Sequence, residues 1–197
     1  MRVPIKLDNI DTLSVSGHKI HAPKGIGALY LSDRLVQAFR PPYLGGEQER
    51  GLRPGTENLP YAMGLAAAAT RLAKTMKSRD TAVRTLNARL REGLKAFPEV
   101  VINSPENAIP HILNLSVENV KGTVFQRELD AEGVCVSVKS ACSSDGLPSR
   151  AVFAVSRDRR NALSSWRISL SHLTTQEELN GFLHAFDACY TRLTRPQ

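Results

Sequence analysis

The chain has 197 residues, of which 42% are hydrophobic and 23% charged, with 13 glycines, 11 prolines and a formal net charge of +7. That length suits one domain or two small ones. The composition is that of an ordinary globular protein, which excludes wholesale disorder, collagen-like and low-complexity architectures.

In chain order, Asp11 to Ser16 alternates apolar and small polar residues, and Gly27 to Leu31 is a second extended run. Two short strands flanking a turn are expected, because Gly17 to Gly25 between them is rich in breakers and basic groups. Pro41-Pro42, Gly45-Gly46 and Pro54-Gly55 mark a long irregular stretch of the kind that is often functional. From about Asn58 the pattern turns helical, with a stripe at Val83, Leu86, Leu90, Leu94 and Phe97 that Pro98 ends. Strands at Val100–Ile102 and Ile112–Val117, a helix from about Thr123 to Glu132 closed by Gly133, and a strand at Val134–Val138 follow. A last strand, Trp166–Leu170, precedes a helix opened by Thr175 with Glu178 three residues on, a capping box. The core stripe of that helix is Leu179, Phe182, Leu183, Phe186, Tyr190 and Leu193. The alternation of strands and helices predicts an α/β or α+β class.

No run approaches the length of about 18 apolar residues that a membrane helix needs. The longest candidate, around Leu65 to Ala69, is followed by Arg71 and Lys74. The start of the chain lacks an apolar secretory core, so the cytosol is the expected compartment. Three cysteines, Cys135, Cys142 and Cys189, are an odd number without C-x-x-C spacing. Neither a disulfide framework nor a metal site is expected. The positive charge is compatible with nucleic acid, a phosphate-bearing ligand or an acidic partner. Its densest cluster, Arg157 to Arg160, reads as a solvated loop, and no zinc-finger or RNP-type signature accompanies it, so direct nucleic-acid binding is not expected.

Three segments concentrate reactive groups. Ser16-Gly17-His18-Lys19 places a hydroxyl, an imidazole and an amine at one corner. Lys19 is either a solvated surface charge or, with its pKa lowered by burial or by neighbours such as His18 and Lys24, a Schiff-base nucleophile. Ser16 and the glycine amides are the parts of a phosphate site. Arg50 to Thr56 holds two guanidinium groups, a flexible backbone and a hydroxyl, which suits an anion clamp; the alternative is a loop whose arginines satisfy Glu47 and Glu49. Lys139 to Gly146 carries Cys142 among small residues, with Lys139 to favour its thiolate. Cys135, inside the expected strand, reads as a small buried hydrophobe, and Cys189 as core packing in the last helix.

Together, Ser16-Gly17-His18-Lys19 with Pro23 to Tyr30, Gly45 to Thr56, Ser140-Ala141-Cys142-Ser143-Ser144 and the closing Arg167-Ile168-Ser169-Leu170 resemble the NifS-like cysteine desulfurases. The resemblance implies a fold-type I, pyridoxal-phosphate-dependent enzyme of the class V aminotransferase group. It implies an α/β fold in which residues 1–77 are the end of the large cofactor domain with a connecting helix, and residues 78–197 are the small domain bearing the cysteine loop. Lys19 matches the lysine that holds the cofactor and shuttles protons. Ser16 and His18 match contacts to the cofactor phosphate, and Thr56 one donated across a homodimer interface. Cys142 matches the nucleophile that takes sulfur from L-cysteine and passes it, as a persulfide, to an acceptor protein serving iron-sulfur assembly or thiolation.

Two departures stand out. The family lysine lies near the middle of a chain about twice as long, so the portion carrying the ring-nitrogen aspartate and the ring-stacking histidine is expected to precede Met1. None of Asp8, Asp11 or His21 falls where those motifs would be. The family arginine for the substrate carboxylate falls at His172, which is shorter and only partly charged. A selenocysteine lyase, an aminotransferase with another substrate, or a noncatalytic interaction module therefore remain alternatives.

Overall fold

A computed structural model describes residues 9–138 and 148–194. They fall into two compact units that divide between Lys77 and Ser78. The mixed α/β class read from the sequence is found, and both sheets among the described residues are antiparallel.

In the first unit β1 (Thr12–Ser16) pairs with β2 (Gly27–Leu31), Leu13 opposite Tyr30 and Val15 opposite Ala28. A short helix that the sequence pattern did not reveal, α1 (Asp33–Ala38), follows. Its start is fixed by Ser32, whose Oγ accepts from the Leu35 amide at 3.3 Å and donates to Asp11 at 2.7 Å. Arg34 grips the same carboxylate, with Nη2 2.9 Å from Oδ2. This cation and the Ser32 hydroxyl hold the Asp11 carboxyl below its ordinary pKa. The irregular stretch contains one 3-10 turn, Gln48–Gly51.

The long helix α2 (Leu59–Leu94) opens at Asn58, whose Oδ1 accepts from the Tyr61 amide at 3.2 Å. Its buried apolar residues, Val83, Leu86, Leu90 and Leu94, are those of the expected stripe. The helix stops at Leu94, and Phe97 reaches the core from the turn that follows.

In the second unit β3 (Val100–Ile102), β4 (Ile112–Val117) and β5 (Ser165–Ser169) form a sheet of that order. Successive side chains on a strand face opposite ways. Leu113, Leu115, Val117, Trp166 and Ile168 accordingly share one buried face. In the hydrophobic core they join Phe125 and Leu129 of α3 (Gly122–Ala131) and Leu179, Phe182, Phe186 and Cys189 of α6 (Gln176–Thr194). Phe186 is central, its ring centroid 4.8 Å from that of Phe97 and 5.0 Å from that of Phe125. The capping box forms as expected: the Glu178 amide donates to Thr175 Oγ1 at 3.1 Å and the Thr175 amide to Glu178 Oε2 at 2.8 Å. The other sheet face is polar. Asn103 donates to Asn114 Oδ1 and Ser116 Oγ, each at 2.9 Å, and Asn161 donates to Asn103 Oδ1 at 2.8 Å.

Three expectations are corrected. Val134–Val138 is not a strand: among the described residues Ser137 alone pairs, in an isolated bridge with Arg167. Val134, Val136 and Val138 take the core side of this extended segment, so Cys135 alternates outward and is exposed rather than buried. Arg157 to Arg160 is exposed but is no simple loop. Arg157, at φ 56°, caps α4 (Arg150–Ser156), and Asp158 Oδ1 accepts from the Arg160 and Asn161 amides at 2.7 and 3.2 Å to start α5 (Arg159–Ser164).

Candidate active site

β1 ends at Ser16 and passes directly into a 3-10 turn, Gly17–Ile20, which carries His18 and Lys19. Gly17 makes this tight exit possible. It is the buried residue of the turn, its amide donates to the Ile26 carbonyl at 2.9 Å, and a Cβ there would stand 2.7 Å from the same oxygen. The turn closes through His21 in the left-handed region and the Ala22 amide, which donates to Gly17 O at 3.0 Å. Ser16, His18 and Lys19 are all exposed, and the Ser16 hydroxyl makes no capping bond to the turn. The structure thus gathers a hydroxyl, an imidazole and an amine on one corner and leaves them open to a ligand.

Thr56, also exposed, stands on a separate segment of the same unit. It precedes α2, whose early part runs against the chain that leaves the Lys19 turn: Pro23 closes on Gly64 so tightly that a Cβ there would meet its ring at 2.9 Å. Arg53 does not turn to Glu47 or Glu49. Its Nη1 donates to the Gly55 and Thr56 carbonyls at 3.1 and 3.5 Å. Gln48, which sequence reasoning did not single out, accepts from the Gly55 amide at 3.1 Å. Its inward turn depends on left-handed backbone at Glu49 and Arg50, residue types that do not announce that conformation.

His172 is half-buried in the turn between β5 and α6 and lies in the second unit. The turn is fastened by Thr174 Oγ1, which accepts from the Ser171 amide at 3.1 Å. Cys142 lies outside the described residues. Of the other thiols, Cys135 has its sulfur 3.9 Å from Asp130 Oδ1, and Cys189 is fully buried, which raises its pKa. Among the described residues no three His, Cys, Asp or Glu side chains are grouped to hold a metal, and no helix is long and apolar enough to cross a membrane.

Known proteins resemble this chain in sequence and in fold. The chain is 41% identical over 184 residues to the cysteine desulfurase NifS of Azotobacter vinelandii, a match covering 91% of this chain and 45% of that protein. With cysteine desulfurase 2 of Trichormus variabilis it shares 38% identity over 199 residues, covering 98% of this chain and 49% of the relative. A solved NifS-like protein superposes with a TM-score of 0.80 at 31% identity, over 94% of this chain and 47% of its own. The chain thus spans about half the length of these relatives. With the aminotransferase class-V family matching residues 1–182, and with relatives that share both its sequence and its fold, the chain belongs to that family.

Proposed function

We propose that this chain carries the cofactor lysine and the sulfur-accepting cysteine of a cysteine desulfurase, which takes sulfur from L-cysteine and releases alanine. The observation that carries the proposal is the exposed Ser16–Lys19 corner at the end of β1. Class-V aminotransferases depend on pyridoxal phosphate. The donor set fits that group: Lys19 offers an amine for its aldehyde, and Ser16 and His18 offer donors for its phosphate, with none of them withdrawn into the core.

In this reading Lys19 would hold the cofactor and would move a proton to and from the substrate carbon. Ser16, His18 and, across a homodimer interface, Thr56 hold the phosphate. Once bound, pyridoxal phosphate supplies an electron sink for the substrate carbon skeleton. The Cys142 thiolate attacks the substrate sulfur, so an S–S bond forms as the carbon–sulfur bond breaks. The electron pair of the broken bond stays with the carbon skeleton, which takes up protons and departs as alanine. An acceptor protein's thiolate then takes the outer sulfur of the Cys142 persulfide, in the cytoplasm, for iron-sulfur assembly or thiolation, and Cys142 is released as its thiolate. Residues 1–77 serve as the end of the cofactor domain and 78–197 as the small domain.

The test is borohydride reduction of the chain mixed with pyridoxal phosphate, followed by peptide mapping. A mass adduct on Lys19 that vanishes in Lys19→Ala is the expected result. An adduct spread over surface lysines would overturn the reading.

His172 supports a second reading. A half-buried imidazole cannot form the two-pronged bond that an arginine makes with a carboxylate, which favours a different amino-acid substrate within the same family. Activity surveyed across amino acids separates the two, since a selenocysteine lyase or an aminotransferase would not need Cys142 to turn over.

A further inference from the structure

The loop from Gly45 to Thr56 is fastened to itself at several points, and two side chains bring those fastenings to Thr56. Glu49 and Arg50 are consecutive left-handed residues, at φ 51° and 60°. They reverse the chain, with the Gly51 amide on Glu47 O at 3.0 Å and the Leu52 amide on Glu49 O at 3.1 Å. The reversal folds the half-buried Gln48 back over the loop, where its Oε1 accepts from the Gly55 amide at 3.1 Å. Gly46 leaves room for this side chain, since a Cβ there would collide with Gln48 Oε1. Gly55 itself sits at φ +102°, a conformation strained for any side chain. From the other side Arg53 Nη1 holds the carbonyls of Gly55 and Thr56. The backbone around Thr56 is therefore held at the Gly55 N–H by Gln48 and at the Gly55 and Thr56 carbonyls by Arg53.

We propose that Gln48 and Arg53 are positioning residues, which hold the Gly55–Thr56 backbone so that the exposed Thr56 hydroxyl is presented ready-made to the cofactor phosphate. The proposal rests on the reading of Thr56 as a phosphate contact. Its physical content is preorganisation: a loop already ordered loses less conformational freedom when the phosphate binds. Gln48 is the sharper of the two to test because it is neutral, so removing it leaves the charge around the phosphate unchanged.

The experiment compares the affinity of the full chain for pyridoxal 5'-phosphate with that for pyridoxal, which lacks the phosphate. Gln48→Ala is expected to weaken the phosphorylated probe about tenfold, the scale of one lost hydrogen bond with its ordering, and to leave pyridoxal unchanged. Gln48→Glu keeps an acceptor oxygen and is expected to keep the Gly55 amide as slow to exchange its hydrogen as in the parent. Arg53→Lys keeps the charge without the guanidinium fork and is expected to show the same phosphate-dependent loss. Adding Gln48→Ala to Thr56→Ala is expected to weaken binding no further than Thr56→Ala alone. Amide hydrogen exchange supplies a readout without cofactor, since the Gly55 amide should exchange faster in Gln48→Ala. Equal weakening of both probes, additivity with Thr56→Ala, or unchanged Gly55 exchange would overturn the positioning role. If Thr56→Ala itself leaves the preference for phosphate intact, the phosphate reading of Thr56 fails first and takes the proposal with it.

Discussion

The amide of Gly17 donates to the carbonyl of Ile26 across the end of the β1–β2 pair, and the two backbones approach too closely there for any side chain at Gly17. This contact fixes where β1 stops and the turn with Lys19 begins. Gly17→Ala would push a methyl to 2.7 Å from the Ile26 oxygen, so the turn must shift. Overpacking of this kind costs about 1–3 kcal/mol. We expect the adduct at Lys19 to fall at least tenfold in yield at limiting cofactor. Urea unfolding followed by the fluorescence of Trp166, the chain's single tryptophan, should stay at its parent midpoint because Trp166 belongs to the second unit. A shifted midpoint with normal adduct yield would contradict this assignment.

Phe186 is the centre of the second unit's core, fully buried and in ring contact with Phe97, Phe125, Trp166, Phe182 and Tyr190. Phe186→Ala is expected to destabilise that unit by about 3–5 kcal/mol, because the cavity cannot collapse among so many rigid rings. The same Trp166 fluorescence measures it, and a loss below about 1 kcal/mol would show that the ring cluster repacks.

The described thiols should differ sharply in reactivity. In a Cys142→Ser background, iodoacetamide is expected to label Cys135 in the folded chain and Cys189 only after urea is added, since Cys189 is buried and its raised pKa leaves little thiolate at neutral pH. Peptide mapping reads the order. Native labelling of Cys189 ahead of Cys135 would refute the outward turn of Cys135.

Arg34 and Ser32 together make Asp11 a stronger acid. Its folded pKa is depressed below the ordinary 3.8, so its contribution to stability is present above that value and is lost as pH falls through the folded pKa. An NMR titration should place the Asp11 midpoint below 3.8 in the parent and move it back toward 3.8 in Arg34→Leu. The effect on the melting temperature should be small because the pair is exposed. A midpoint indifferent to Arg34 would leave the hydrogen-bonded pair without solution support.

The parts of this fold that could be read in the sequence are those set by periodicity and by caps with unambiguous chemistry. Val83 to Leu94 repeats at helical spacing, and Thr175 with Glu178 announces α6. The short helices α1, α4 and α5 were not legible, because helices of that length are marginal alone and rest on one capping side chain each: Ser32, Ser149 and Asp158. Val134 to Val138 has strand composition, yet a single bridge to Arg167 is the pairing it finds, and composition carries no information about partners. At the candidate site, Ser16, His18 and Lys19 are neighbours in sequence and so were visible together. The roles of Gln48 and Arg53 were hidden, since they depend on a chain reversal through Glu49 and Arg50.

The buried hydrophobic residues of the described chain all lie at Val83 or beyond, while Leu29, Leu44 and Met63 in the first unit are 58%, 94% and 72% exposed. Hydration of newly exposed hydrocarbon is what gives unfolding its large heat-capacity change. A calorimeter heating this chain would therefore register the melting of Ser78–Gln197 almost alone. The corner that holds Lys19 could lose its shape with little thermal signature, visible to a bound cofactor long before it is visible as heat.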